Sequence, residues 1–314
     1  MNLPRPTWVA ALGLVLPLAA CGTSNGSADG DGALAVVATT TQVGSIAEEI
    51  GAEDIELTVL LQPGIEAHDF EMTPAAGAAV EEAGLILKSG AGLESWLDDA
   101  LETIGGTDRV RDLSEGIELR APSAEPRNED EGNEEVVDPH YWLSAPNAIV
   151  MVENARDALM GAAPAAATGI GERADALIGR LEAADAEIHA LIDEIPLERR
   201  AVVTDHDALG YFLEEYGLRL IGSIFSSLDV SAEPGAREIE ALVSEIRDQD
   251  VRAIFVESAV NPRLAQAVAD ETAATLVADP LYTDSLGPDG SVADTLDGML
   301  LHNARVIRDG LIGG

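Results

Sequence analysis

Cysteine and lysine are almost absent from this chain: among 314 residues, Cys21 and Lys88 are the sole examples of each. One thiol cannot support a disulfide framework, so the fold must rest on its core, and a hydrophobic content of 46% is enough to build one. Positive charge is scarce altogether. The 18 basic side chains face 57 acidic ones, a formal net charge of -39. Such a surface repels phosphate backbones and anionic lipid, which argues against nucleic-acid binding. It attracts a diffuse atmosphere of cations and keeps the chain soluble, but does not by itself make a cation site. Compact catalytic signatures are missing too. There is no HExxH, and no G-x-S-x-G nucleophile elbow at a strand-to-helix turn. Beyond the N-terminus, no apolar run is long enough to span a bilayer.

The lone cysteine is placed informatively. "MNLPRPTWVAALGLVLPLAAC" has a basic residue, Arg5, then an apolar run from Trp8 to Leu18, then Ala19, Ala20 and Cys21. The run is too short for a spanning helix and suits a secretory signal over residues 1–21. Leu18-Ala19-Ala20-Cys21 resembles a bacterial lipobox, whose thiol is lipidated. Two acyl chains suffice for stable anchoring, so the expectation is an extracytoplasmic protein held to the cell membrane at Cys21. Residues 22–33, small and polar, read as a flexible tether with a reach of about 20 Å.

From Leu34, β-prone runs alternate with helical stretches: "LAVVATT", "IELTVLL" and "LILKSG" in one half; "RAVVTDH", "LRLIGSI", "VRAIFVES" and "ATLVADP" in the other. This rhythm predicts α/β architecture with parallel sheets. Residues 121–137, rich in proline and acid, read as a solvated loop. Between the halves, Ile170, Ala174, Leu177, Ile178, Leu181, Ala184, Ile188, Leu191, Ile192 and Ile195 recur at steps of three and four. They predict one long amphipathic helix ending at Pro196. The division is therefore a first lobe over 34–164, a bridging helix over 165–198 and a second lobe over 199–314, with a last helix from about Val292.

Three of the five histidines lie in loops or at strand ends. His68 follows "IELTVLL" after a Pro63-Gly64 turn, His140 sits in "VDPHYWLSAPNA", and His206 ends "RAVVTDH". Asp284, in "DPLYTDSLG", follows another strand. Open α/β sheets bind ligands beyond the carboxyl ends of their strands. Three imidazoles with one carboxylate suit a borderline divalent metal, zinc above all. The spacing is weak support on its own, because no local motif fixes the geometry. Asp138, Asp207 and Glu257 could orient imidazoles, or could equally serve as caps and loop polarity. His189, in the long helix, reads as a surface residue, and His302, in the final helix, as structural.

"PGIEAHDFEMTP", "VDPHYWLSAPNA", "VVTDHDALGYFLEEYGL", "IFVESAVNPRLAQAVADETA" and "DPLYTDSLG", in this order and with the lipobox, resemble the zinc/manganese-binding solute-binding lipoproteins of bacterial metal ABC importers, the cluster A-I family. The resemblance implies two α/β lobes joined by a rigid helix, with metal held in the cleft between them. It implies His68 and His140 as ligands from the first lobe, and His206 and Asp284 from the second. The third position is commonly glutamate in manganese-type relatives; here it is His206, a nitrogen donor that favours zinc. Zinc-type relatives often carry a histidine-rich segment where this chain has the acidic residues 121–137, so the resemblance does not extend to that segment. The function implied is capture of Zn2+, with Mn2+ as the alternative cargo, by a monomer that delivers it to a permease and an ATPase. A zinc hydrolase would need one of the four residues not to bind, leaving a position for water. A surface adhesin would rest on exposure alone.

Overall fold

The computed structural model describes residues 33–65, 67–68, 70–122, 137–225 and 234–313. Cys21, all but the last residue of the tether, and residues 123–136 of the acidic segment lie outside the described residues. Two lobes follow one another along the chain, each built on a parallel four-stranded sheet.

The first lobe begins with β1 (Leu34–Ala38), α1 (Thr41–Gly51), β2 (Ile55–Val59), α2 (Pro74–Glu82), β3 (Leu85–Lys88), α3 (Ser95–Ile104) and β4 (Val110–Asp112). The interior strands are continuous apolar runs because helices cover both faces, whereas the edge strand β2 alternates between buried and more exposed positions. Thr40 and Thr73 begin α1 and α2 by accepting the backbone N–H groups of Val43 and Ala76. Pro74 occupies the first turn of α2, where its missing N–H costs nothing. Two helices lead to the second lobe: α4 (Ala145–Ala162) and α5 (Ala167–Asp193). The second lobe comprises β5 (Ala201–Thr204), α6 (Gly210–Glu215), β6 (Arg219–Ser223), α7 (Ala236–Asp248), β7 (Ala253–Ile254), α8 (Arg263–Glu271), β8 (Thr275–Leu276) and α9 (Leu296–Gly313).

The sheets share one topology. Their orders are β2-β1-β3-β4 and β6-β5-β7-β8, so each reverses direction between its first and third strands. The crevice beyond the strand ends at such a reversal is where this architecture receives ligands. The long helix α5 joins the lobes. Of its stripe, Ile170, Ala174, Leu177, Leu181, Ala184, Ile188 and Ile192 are buried, Ile178 and Leu191 are half-buried at its edge, and Ile195 is buried just past the helix end. Packed against α5 are α1, α4 and α9, and the resulting apolar core runs from Val36 in the first lobe to Phe255 in the second. Arg180 of α5 adds a surface tie to Glu49 of α1 and Asp297 of α9.

Local boundaries differ from the sequence pattern in three places. The helix α5 stops at Asp193; Pro196 lies beyond a closing turn in which Ile195 N–H bonds Ile192 O. The last helix starts at Leu296 rather than near Val292. Asp294 holds the N–H of Gly290 in a turn, and the Thr295 hydroxyl caps the N–H of Gly298. Strand β4 carries no apolar run, and only its pairing with β3 makes it a strand.

One buried carboxylate ties the strand ends of the first lobe together. Glu94 accepts Thr39 Oγ1 at 2.7 Å, Ser89 N at 2.7 Å and Gly90 N at 2.9 Å. The Ser89 carbonyl in turn accepts the hydroxyl of Tyr141, the neighbour of His140. Burial pushes the Glu94 carboxyl up from 4.5 to about 7, with Thr39, Gly90 and Ser89 pulling the other way. A pKa raised on folding contributes stability below the unfolded value and loses it as pH climbs through the folded one. Glu94→Ala is therefore expected to cost about 1–3 kcal/mol in urea unfolding at pH 5, from donors left unpaired, and less at pH 8. An equal loss at both pH values would refute the assignment.

Candidate metal centre

Each of the four predicted side chains reaches the cleft on a different connection. His68 lies between β2 and α2, past a turn where Gly64 adopts a φ of 79° that favours glycine. That connection is steadied by Trp96, which donates Nε1–H to Ala67 O and packs edge-on against Phe70. His140 is buried just before the one-turn helix Tyr141–Leu143 that leads into α4. His206 follows β5 and Asp284 follows β8, both buried.

The donors converge. Nε2 of His140 is 3.3 Å from Nε2 of His68 and 3.1 Å from Oδ1 of Asp284. The other oxygen of Asp284, Oδ2, stands 3.4 Å from Nε2 of His206. Donor atoms of His68, His140 and Asp284 all lie within 4.8 Å of one another. His206 joins them through Asp284 and through its ring, 5.7 Å from that of His140. Donors bound tetrahedrally at zinc distances would be separated by about 3.3 Å; the His68–His140 and His140–Asp284 separations match that value, whereas His206 approaches the other oxygen of Asp284 and also groups with Asp205 and Glu257. The two Nε2 atoms of His68 and His140 stand within hydrogen-bond range, whereas the approaches to Asp284 are ion-pair contacts of poor hydrogen-bond geometry. Among the described residues, neither oxygen of Asp284 and neither ring nitrogen of His206 has a hydrogen-bond partner, although all four atoms are buried. Native interiors rarely leave such groups without a well-formed hydrogen bond; here ion-pair contacts take their place.

A second ring of carboxylates surrounds the imidazoles. Asp138 Oδ1 lies 2.8 Å from His140 Nδ1, and Glu257 Oε1 lies 3.0 Å from His206 Nδ1. Asp205 also borders His206, and its Oδ2 accepts the N–H of Glu257. These contacts point each Nε2 toward the cleft, the orientation a metal-binding imidazole needs. Burial opposes charge on both rings, but carboxylates outweigh it. Asp138 and Asp284 push His140 up to about 10, and Glu257 and Asp284 hold His206 well above its usual range. Burial works against the Asp284 carboxylate too, yet His206 and His140 keep it well below its ordinary value. Burial raises Glu257 to about 8, against the pull of His206. The centre can therefore accept positive charge, from protons or from a divalent cation.

Sequence reading singled out Asp138 and Glu257 without choosing a role for them; geometry sets both against imidazoles. It passed over Asp205, which stands in the same strand-end run "TDHD", and Arg120. The Arg120 guanidinium pairs with Asp138 Oδ2 at 3.1 Å and stacks over Tyr211. The Tyr211 hydroxyl donates to Asp138 O and accepts the N–H of Arg120. Gly210 makes room, since a Cβ there would run into Arg120 and Asp138. The backbone N–H of Asp138 also bonds Arg120 O at 2.8 Å, joining the two flanks of the acidic segment. The remaining histidines serve elsewhere: His189 is half exposed beside Tyr216 and Asp185, and His302 bonds the Pro280 carbonyl.

Comparisons with known proteins agree with this architecture. The family described as ZnuA, zinc-uptake complex component A periplasmic, matches residues 36–310. The manganese-binding lipoprotein MntA of Bacillus subtilis (strain 168) is 30% identical over 308 residues, 96% of this chain and 97% of that protein. The iron-binding protein YfeA of Yersinia pestis is 28% identical over 251 residues, 80% of this chain and 78% of that protein. Among solved structures, the periplasmic zinc-binding protein TroA from Treponema pallidum superposes with a TM-score of 0.78 at 26% identity, covering 89% of this chain and 99% of that one. With the two-lobed fold, the converging donors and a match over nearly the whole described chain, this protein belongs to the zinc-uptake complex component A family, the metal-binding substrate-binding proteins of ABC importers.

Proposed function

We propose that this protein captures Zn2+ outside the cytoplasmic membrane and delivers it to the permease and ATPase of an ABC importer. His68, His140, His206 and Asp284 are the ligands in this reading. The observation that carries it is the convergence on Asp284: its carboxylate lies 3.1 Å from Nε2 of His140 and 3.4 Å from Nε2 of His206, and Nε2 of His68 lies 3.3 Å from that of His140. Three neutral imidazoles and one carboxylate form a donor set well suited to zinc, whereas manganese prefers more oxygen. Four protein ligands leave no position for a reactive water, which suits carriage rather than hydrolysis. Manganese is the second reading, supported by the metal named for the Bacillus subtilis relative. In both, residues 34–164 and 199–314 act as the two jaws and 165–198 as the strut between them. The protein works as a monomer, tethered by a lipid on Cys21; relatives named as lipoproteins support that anchorage.

Removing one ligand tests the set. His206→Ala should weaken Zn2+ binding at least about 100-fold in titration calorimetry, in line with losing an imidazole from a four-ligand site, while circular dichroism stays unchanged. An unaltered affinity would show the ligand set to be wrong. For the choice of metal, Zn2+ should displace Mn2+ from the wild-type protein, and His206→Glu should narrow that preference. Wild-type protein that retains Mn2+ against equimolar Zn2+ would reverse the choice and leave the transport class standing. Finally, Cys21→Ser should move the protein from the membrane fraction to the soluble fraction; continued sedimentation with membranes would exclude the lipid anchor.

A further inference from the structure

Asp284 is carried by the chain of the second lobe, yet its neighbours are bonded to the first. The carbonyl oxygen of Thr283 accepts two side-chain donors, Nε2 of Gln42 and Nε1 of Trp142, each at 2.9 Å. Leu286 N donates to Thr41 Oγ1 at 2.9 Å, and Thr41 Oγ1 donates to Gln42 Oε1 at 3.1 Å. Gly64 N, on the connection that carries His68, donates to Ser285 Oγ at 2.9 Å. Residues on both sides of Asp284 are thus gripped across the cleft. From its own lobe, the segment is held by Asn303, which bonds both backbone groups of Tyr282, and by the Thr283 hydroxyl bonded to Glu257.

Gln42 and Trp142 are unusual places to find donors. Gln42 is a wholly buried amide in the first turn of α1, and the Trp142 ring packs edge-on against His140 at 5.5 Å. Both donors meet on one carbonyl, one residue before Asp284. We propose that Gln42 and Trp142 are positioning residues for the metal site, clamping Thr283 so that Asp284 is held between His140 and His206, and that cargo release proceeds by breaking this clamp. The proposal rests on the ligand assignment given above. Its physical content is leverage. Parting the lobes at this seam must either tear Thr283 from Gln42 and Trp142, or carry Asp284 with the first lobe and away from His206. Either course removes a ligand without bending α5.

The test uses the full chain loaded with Zn2+, mixed with excess chromogenic chelator in a stopped-flow instrument. Gln42→Leu and Trp142→Phe put apolar side chains in the core and each remove one donor to Thr283, the first also removing the acceptor of the Thr41 hydroxyl. Each should speed Zn2+ dissociation roughly three- to tenfold, the range expected for a lost hydrogen bond. The pair should be non-additive because the donors share one acceptor. Leu177→Ala, in the buried stripe of α5, supplies a destabilised control and should leave the rate unchanged. Rates within twofold of wild type for Gln42→Leu and Trp142→Phe, or an equal acceleration in Leu177→Ala, would overturn the clamp. His206→Ala in the same assay separates the two claims. Fast release from that variant beside unaltered release from the donor variants rejects the clamp alone; wild-type release from His206→Ala rejects the ligand set and the clamp together.

Discussion

A carboxylate cannot be taken out of water without a partner, and everything around the cleft answers that constraint. Asp284 is nearly inaccessible, with an imidazole on either side. Both imidazoles are backed by further buried carboxylates, Asp138 and Glu257, and Asp138 is itself neutralised by Arg120. Charge therefore alternates outward through the protein: guanidinium, carboxylate, ring, carboxylate, ring, carboxylate. Desolvating such an arrangement is costly unless its members stay paired. The pairing holds the side chains in register before any cargo arrives, and a divalent cation can take the place of the positive charge that the rings otherwise carry. The same surplus of acid that marks the whole composition is here concentrated and given direction.

The topology explains why these groups meet. Each sheet reverses direction between its first and third strands, and in the second lobe those are β5 and β7. His206 follows the first of them and Glu257 the second, so a pair separated by about fifty residues becomes adjacent as a consequence of strand order. In the first lobe the equivalent ends are occupied by Thr39, Thr40 and Ser89, organised around Glu94. That lobe brings its histidines from elsewhere, after β2 and after β4. The lobes share a frame and furnish it differently.

Much of this was legible in the sequence. Apolar strand runs, the stripe of α5 and histidines placed after strands all derive from local pattern, and local pattern is what a sequence displays. The two-lobed parallel fold was expected from that rhythm, and the family resemblance agreed. Strand β4 escaped because three residues, two of them charged, carry no periodicity; only the hydrogen bonds of β3 make them a strand. The start of α9 was misplaced because Asp294 and Thr295 hold the preceding residues in a turn through side-chain bonds that hydropathy does not register. Gln42 and Trp142 were invisible for another reason. Their shared acceptor is 241 and 141 positions away, and a glutamine early in a helix looks like any other polar residue until its partner is known.

The bond between Asp138 N–H and Arg120 O closes a ring of backbone around the acidic segment, with Tyr211 fastening both ends. Whatever lies inside that ring is mechanically insulated from His140, two residues beyond it. The entropy of closing a chain grows only with the logarithm of its length, so this insert can lengthen, shorten or change its composition at little thermodynamic cost while the imidazole stays where it is. The fold thereby provides a slot in which evolution, or an engineer, can exchange one insert for another without moving His140.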